Sequence, residues 1–212
     1  MKFFKKHAKI ICILLASVIL LGSVCVFAYC SLNKAPELDE VKDRFICLIE
    51  NSKQVNEIFF GVGLPVYERD GDLDEQNMIY IGEANRGYDR VMELSPYATI
   101  EEMKAAAQRV YSSAYCEQLF QTCFDGVLYE GVTVLDYSVI GEVLYQSSVK
   151  EAITKEERIY IYSTMKIVRP SNKEYVNVEI QSYLESTPDK IETDRLSFLY
   201  EDGNWYLDTP TY

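Results

Sequence analysis

The chain has 212 residues, of which 48% are hydrophobic and 25% are charged, a balance typical of folded globular proteins. Four of its 21 basic residues lie in the first nine positions, which leaves 17 basic against 33 acidic residues, a net charge of −16, in the rest of the chain. Because such a surface repels phosphate backbones, we predict that the protein does not bind nucleic acid.

The N-terminal region is divided between a basic tail and an apolar segment. Residues 1–9 carry the four lysines, and residues 10–29 (IICILLASVILLGSVCVFAY) are uncharged and long enough to span a bilayer as a helix. The basic tail predicts that the N-terminus is cytoplasmic and that the rest of the chain is outside, carried by a single-pass membrane anchor. The alternative is a signal peptide that is cleaved near Ala28, which would give a secreted protein.

A linker at residues 30–36 precedes a single predicted domain at residues 37–212. Its first helix is predicted to begin at Pro36, a favourable first-turn residue, and to end before Gly61. Apolar residues recur at spacings of three and four along it, which indicates a buried stripe. These residues are Leu38, Val41, Phe45, Leu48, Val55 and Phe59.

A polar loop, residues 68–77 (ERDGDLDEQN), follows this helix and is the candidate contact surface. Long loops often carry function, and this one has five acidic residues against a single arginine. The five predicted partner-binding residues are Glu68, Asp70, Asp72, Asp74 and Glu75. The alternative is a solvated turn without a partner.

The start of this loop also resembles a calcium-binding loop. Counted from Asp70, however, the positions that an EF-hand reserves for glycine and glutamate hold Glu75 and Ile81. A looser calcium site is the alternative, but we predict neither a metal nor a cofactor.

The later part of the chain predicts two short helices and then strands. Short strands at 78–81 and 88–94 come first, and Thr99 and Glu102 form a capping box that opens a helix. Alternating patterns predict further strands at 133–137, 142–146, 160–168, 175–184, 192–201 and 205–207. Helices followed by a meandering antiparallel sheet, with the helices packed on one face, predict an α+β fold.

Three cysteines, Cys47, Cys116 and Cys123, lie beyond the apolar segment. We interpret all three as buried apolar thiols, with a disulfide from Cys47 to one of the others as the alternative. The only histidine, His7, is in the basic tail, so the external domain has no histidine for a catalytic triad or a zinc site. We therefore predict that the protein is not an enzyme.

Several stretches of the external domain resemble the IseA-like family of D,L-endopeptidase (autolysin) inhibitors of Gram-positive bacteria. They are residues 44–50 (RFICLIE), 55–61 (VNEIFFG), 63–67 (GLPVY), 162–171 (YSTMKIVRPS) and 203–212 (GNWYLDTPTY). The resemblance implies a non-enzymatic inhibitor that occludes the cleft of an NlpC-type cell-wall hydrolase. An acidic loop that enters a more basic cleft would be a plausible mechanism of this kind.

The order of helices and sheet also resembles nuclear transport factor 2-like domains, whose cones hold an apolar ligand or serve as scaffolds. In that alternative the protein is a membrane-anchored ligand-binding or scaffold module, and Trp205 is either a core residue or a pocket wall. A deep pocket lined by buried tyrosines would favour ligand binding, whereas a filled core with a projecting acidic loop would favour inhibition.

Overall fold

The computed structural model describes residues 33–68, 77–81, 86–129, 131–150 and 158–212. The predicted membrane anchor at residues 10–29 lies outside these ranges. The described helices are α1 (Leu38–Phe59), α2 (Ile100–Gln108) and α3 (Ser113–Phe120), the last continued by a π-helical turn (Gln121–Asp125). The described strands are β1 (Met78–Ile81), β2 (Arg86–Arg90), β3 (Val127–Tyr129), β4 (Val132–Val134), β5 (Tyr137–Ile140), β6 (Val143–Ser147), β7 (Arg158–Val168), β8 (Tyr175–Leu184), β9 (Thr187–Glu201) and β10 (Asn204–Leu207).

The first helix begins at Leu38, two residues after the predicted start at Pro36, and ends before Gly61 as predicted. Glu37 caps its N-terminus together with Glu40, and the predicted apolar stripe is buried except for the partly buried Leu38. The capping box that was predicted at the start of α2 is also present, because the Thr99 side chain accepts a hydrogen bond from the Glu102 N–H at 3.1 Å.

The strands form two four-stranded antiparallel sheets and one small hairpin. The first sheet has the order β1-β2-β6-β5, the second has the order β10-β9-β8-β7, and β3 pairs with β4. The α+β class, with helices first and sheets afterwards, is confirmed. Only the second sheet is a meander, since β2 and β6 become neighbours across the two short helices, a long-range pairing that the local sequence pattern does not specify.

Helix α1 packs across one face of the second sheet. The ring of Phe45 stacks on that of Phe198 with centroids 3.7 Å apart, and Trp205 meets Phe45 edge-on at 5.4 Å. The first sheet joins the same core at the other end of α1, where the fully buried Tyr137 donates a hydrogen bond to the Ile58 carbonyl oxygen at 2.7 Å. Both sheets and all three described helices therefore share one core.

Several predicted strands differ in extent. The predicted strand 88–94 is β2, which ends at Arg90, and β9 begins at Thr187 rather than at 192. The predicted strand 133–137 is divided between β4 and β5. The division occurs because Asp136 donates its N–H to the Cys123 carbonyl oxygen at 2.9 Å, while Val134 pairs with β3.

The three cysteines are free, and one of them corrects the prediction. Cys116 and Cys123 are buried, as expected, but Cys47 is exposed. The helical period explains this difference, because Phe45 and Leu48 face the sheet and place Cys47 on the opposite side of α1.

Candidate functional site

The candidate contact surface is the predicted polar loop at residues 68–77. We call its residues 68–76, which include all five predicted contact residues, the acidic segment. Glu68 is exposed and directly follows Tyr67. The other four predicted contact residues, Asp70, Asp72, Asp74 and Glu75, lie outside the described residues.

Both ends of the acidic segment are attached to the same residue of the first sheet. The Tyr67 N–H donates to the Arg90 carbonyl oxygen at 3.0 Å, and the Arg90 N–H donates to the Asn77 carbonyl oxygen at 2.8 Å. An isolated β-bridge between Val66 and Val91 fixes the backbone immediately before the segment. The chain therefore leaves and re-enters the folded body at one point.

Three side chains surround this attachment point. The guanidinium carbon of Arg90 lies 5.4 Å from the centroid of the Tyr67 ring, and its Nη2 lies 2.6 Å from Glu93 Oε1. The Tyr67 hydroxyl donates a hydrogen bond to the same carboxylate of Glu93. Glu93 therefore binds both the guanidinium of Arg90 and the hydroxyl of Tyr67.

The turn that leads into the segment is held by Gln146 on β6. Its Oε1 accepts the Leu64 N–H at 2.7 Å, and its Nε2 donates to the Val62 carbonyl oxygen at 2.9 Å. Between these two residues, Gly63 adopts φ +89°, a conformation that favours glycine. The turn is therefore fixed on both sides by one buried amide side chain.

A half-buried lysine extends this support. Lys150 donates to the carbonyl oxygens of Gly61 at 2.9 Å and Phe59 at 3.3 Å, which otherwise have no intrahelical partner at the end of α1. Burial lowers the pKa of Lys150, and the nearby Asp136 opposes that effect. Lys150 was not predicted as a functional residue, because nothing in the local sequence pattern indicates that it caps a distant helix.

Asp136 and Cys123 form a carboxylate–thiol pair beside Lys150. Burial raises the pKa of Asp136, and burial together with the Asp136 charge raises the pKa of the Cys123 thiol. A thiol with a raised pKa remains protonated at neutral pH, whereas a nucleophilic cysteine needs a lowered one. The Cys123 thiol is therefore a neutral, buried group of the core.

A second candidate surface is a cleft of about 460 Å³ between the two short helices and the β9–β10 hairpin. Its lining includes Lys104, Tyr111, Cys116, Glu117, Glu201 and Tyr206. Several of these groups already have partners within the fold. Glu201 Oε2 accepts from both the N–H and the hydroxyl of Ser113 at 3.0 Å, and the Tyr111 hydroxyl donates to Asn56 Oδ1 at 2.5 Å.

Burial also raises the pKa values of two groups that line this cleft. Burial raises the pKa of Cys116 to about 12 and that of Tyr111 to about 12. Lys104 lies over the rings of Phe120 and Phe124, with its Nζ 5.5 Å and 5.2 Å from their centroids. The cleft is thus polar and acidic at its rim, with its central groups protonated near neutral pH.

The space between α1 and the second sheet is filled by side chains. Phe45, Leu48, Ile49, Val176, Val178 and Phe198 are fully buried there. A ligand-holding cone would need that space to be open. The tyrosine-lined cleft lies elsewhere, beside the short helices.

Two further findings concern the described part of the chain. Among those residues, no group of three or more histidine, cysteine, aspartate or glutamate side chains is arranged to hold a metal ion. None of the described helices combines the length and the apolar composition that crossing a membrane would require. Compared with known proteins, the chain matches no protein-family model, and a search of curated proteins returns no match.

Proposed function

We propose that the protein is a non-enzymatic, extracytoplasmic inhibitor of a cell-wall D,L-endopeptidase of the NlpC type, and that it acts by non-covalent occlusion of the enzyme's cleft. The observation that carries this proposal is the attachment of the acidic segment, whose two ends hydrogen-bond to the backbone of Arg90. The residues on either side of the segment, Tyr67 and Asn77, are thereby held beside each other at the edge of the first sheet. The sequence resemblance to the IseA-like inhibitors supports the same function.

Charge provides the second argument. The chain beyond the basic tail carries a net charge of −16, and the acidic segment contributes five carboxylates within eight residues. Such a surface increases the rate of encounter with a basic partner and adds specificity, although each exposed charge contributes little affinity. Steric occlusion by the segment then needs no catalytic residue in the inhibitor.

The filled core favours this function over the alternative ligand-binding module. A cone that binds an apolar ligand uses the space between its helix and its curved sheet, and here that space holds the stacked rings of Phe45 and Phe198. The filled core therefore favours binding of a partner protein by the outer surface over binding of a small ligand inside the fold. A scaffold role would use the outer surface too, and the experiment below separates it from inhibition.

The direct test is an inhibition assay with the full chain in lipid nanodiscs. Increasing amounts are added to an NlpC-type D,L-endopeptidase that is digesting peptidoglycan, and turbidity is followed at low and at moderate salt. We expect saturable inhibition that weakens as salt increases, because the Debye length falls to about 10 Å at 0.1 M ionic strength. Binding without inhibition would support the scaffold alternative, and no binding to several such enzymes would contradict the proposal.

A charge-matched pair of variants tests the role of the segment. We expect the change of Asp70, Asp72, Asp74 and Glu75 to serine to weaken inhibition about tenfold at low salt, since four rim charges at a few tenths of a kcal/mol each add to roughly that factor. The control changes four exposed acidic residues elsewhere to serine, namely Asp43, Glu101, Glu185 and Asp189. Equal inhibition by the two variants would exclude the segment as the contact.

A further inference from the structure

A third surface, at the start of α1, differs in charge from the rest of the external domain. It is a cleft of about 660 Å³ between residues 33–38 and residues 166–172. Its lining includes three basic residues, Lys34, Lys166 and Arg169, and one acidic residue, Glu37. In a chain with almost twice as many acidic as basic residues outside its tail, this local excess of positive charge is unusual.

A fourth cation adjoins the cleft. Arg195 is exposed, and its Nη2 donates to the Arg169 carbonyl oxygen at 2.7 Å. We call the four residues Lys34, Lys166, Arg169 and Arg195 the basic face.

Three carboxylates, Glu37, Glu40 and Glu179, offset part of this charge. Lys34 pairs with Glu37, and Lys166 Nζ lies 2.9 Å from Glu179 Oε2. Glu179 is the register partner of both Lys166 and Arg195. Four cations against three carboxylates leave the basic face with a net positive charge in a domain that is otherwise strongly acidic.

The basic face is also accessible. The side chains of Lys34 and Lys166 are 70% and 64% exposed, and Arg169 and Arg195 are exposed as well. In the part of the chain that the structure describes, neither arginine forms an ion pair with a carboxylate. The cations can therefore bind an external anion without first losing a buried contact.

The position of the face along the chain identifies the anion. Asn33, at the edge of the cleft, follows the predicted membrane segment by only four residues, which can extend over about 14 Å at most. This short tether lets the face approach the bilayer to within the Debye length, which is about 8 Å at physiological salt. Anionic headgroups attract lysine and arginine at that range.

We propose that the basic face binds the anionic phospholipid surface from which the chain emerges, and so fixes the orientation of the domain on the membrane. The proposal depends on the insertion of residues 10–29 into the bilayer, as the sequence predicts, and is independent of the inhibitor function. The rest of the domain, being acidic, is repelled by the same surface, which reinforces a single orientation.

Hydrogen exchange of the full chain in nanodiscs tests this proposal. One preparation contains phosphatidylcholine alone and the other contains phosphatidylcholine with phosphatidylglycerol. We expect amides in residues 33–38 and 166–172 to exchange about fivefold more slowly in the anionic nanodiscs, and the difference to disappear at high salt. The same exchange rates in both lipids would overturn the proposal, as would a chain that does not remain with the nanodiscs.

Two matched variants distinguish the effect of the basic face from the effect of losing the same charge elsewhere on the surface. The test variant is K34Q/K166Q/R169Q, which removes two lysine ion pairs and one exposed arginine. The control variant, K53Q/R109Q/K190Q, also removes two lysine–glutamate pairs and one exposed arginine, on other parts of the surface. We expect the slowing to be lost in the test variant and kept in the control, and equal behaviour of the two would overturn the proposal.

Discussion

Gly63 and Gln146 illustrate how a single backbone position can depend on a distant side chain. Gly63 has φ +89°, and a Cβ atom built there would overlap the Gln146 side-chain amide. The same amide bonds the backbone on both sides of the glycine. The turn therefore needs glycine for two reasons, backbone conformation and space.

We predict that Gly63→Ala lowers the free energy of unfolding by about 3 kcal/mol, the sum of about 1 kcal/mol for the left-handed conformation and about 2 kcal/mol for overpacking. Gly203→Ala is the matched control, because Gly203 has φ +84° but no atom within 4 Å of the added Cβ. Gly203→Ala should therefore lower the free energy of unfolding only by the conformational contribution, about 1 kcal/mol. Urea denaturation of each variant measures the difference.

A double mutant adds a further check on the same position. In Gly63→Ala with Gln146→Ala the overlap is absent, so the combined loss should fall short of the sum of the two single losses by about 1 kcal/mol or more. Simple additivity would mean that the Gln146 side chain does not limit the space at Gly63.

At the scale of elements, Asp136 connects three parts of the fold. Its N–H bonds the π-helical turn at Cys123, its carbonyl oxygen accepts the N–H of Ser147 on β6 at 2.8 Å, and its carboxylate lies near Lys150. Burial raises the pKa of this carboxyl above its ordinary 3.8. The protonated form of Asp136 is therefore favoured more strongly in the folded protein than in the unfolded chain.

This raised pKa predicts a pH dependence with a definite sign. Between pH 3.8 and the folded pKa, the native protein binds more protons at Asp136 than the unfolded chain does, so the stability contributed by this group falls as pH rises through that window. We predict that the stability of the wild type relative to Asp136→Asn decreases over this range and then levels off. Urea denaturation of both proteins at a series of acidic pH values measures it, and parallel pH profiles would contradict the prediction.

Local patterns in the sequence predict the elements well. The stripe on α1, the capping box at Thr99 and the strand β8 all depend on residues within one or two turns of each other, and the structure has them at the expected positions. Such signals reflect the helical and strand periods directly.

Features that depend on distant pairings were not predictable in the same way. The pairing of β2 with β6 and the capping of α1 by Lys150 both join residues more than fifty positions apart. In the candidate site, the sequence identified the acidic segment by its charge. It gave no signal that Arg90 joins the two ends of that segment, because those hydrogen bonds involve backbone atoms.

On the scale of the whole molecule, one core joins the helices to both sheets. Phe45 lies near its centre, is fully buried, and contacts Phe198 and Trp205. Since no boundary separates the two sheets in this core, the domain should unfold as one unit.

We predict that Phe45→Ala lowers the free energy of unfolding by about 4 kcal/mol, in keeping with the loss of a large buried ring. The fluorescence of Trp205, the only tryptophan, and far-ultraviolet circular dichroism should still report a single transition. Leu94→Ala, at a side chain that is 92% exposed, is the control and should change stability by less than about 0.5 kcal/mol. Transitions that separate between the two probes would mean that the sheets unfold independently.

The attachment of residues 68–76 at Arg90 also affects how this position can be engineered. Because the two ends are already joined, the entropy of closing the loop grows only with the logarithm of its length, and doubling the length costs about 0.6 kcal/mol. A flexible peptide epitope inserted between Gly71 and Asp72 should therefore leave the fold intact. The same tolerance would let evolution lengthen or shorten this segment to suit partners of different depth, with Tyr67, Arg90 and Asn77 unchanged.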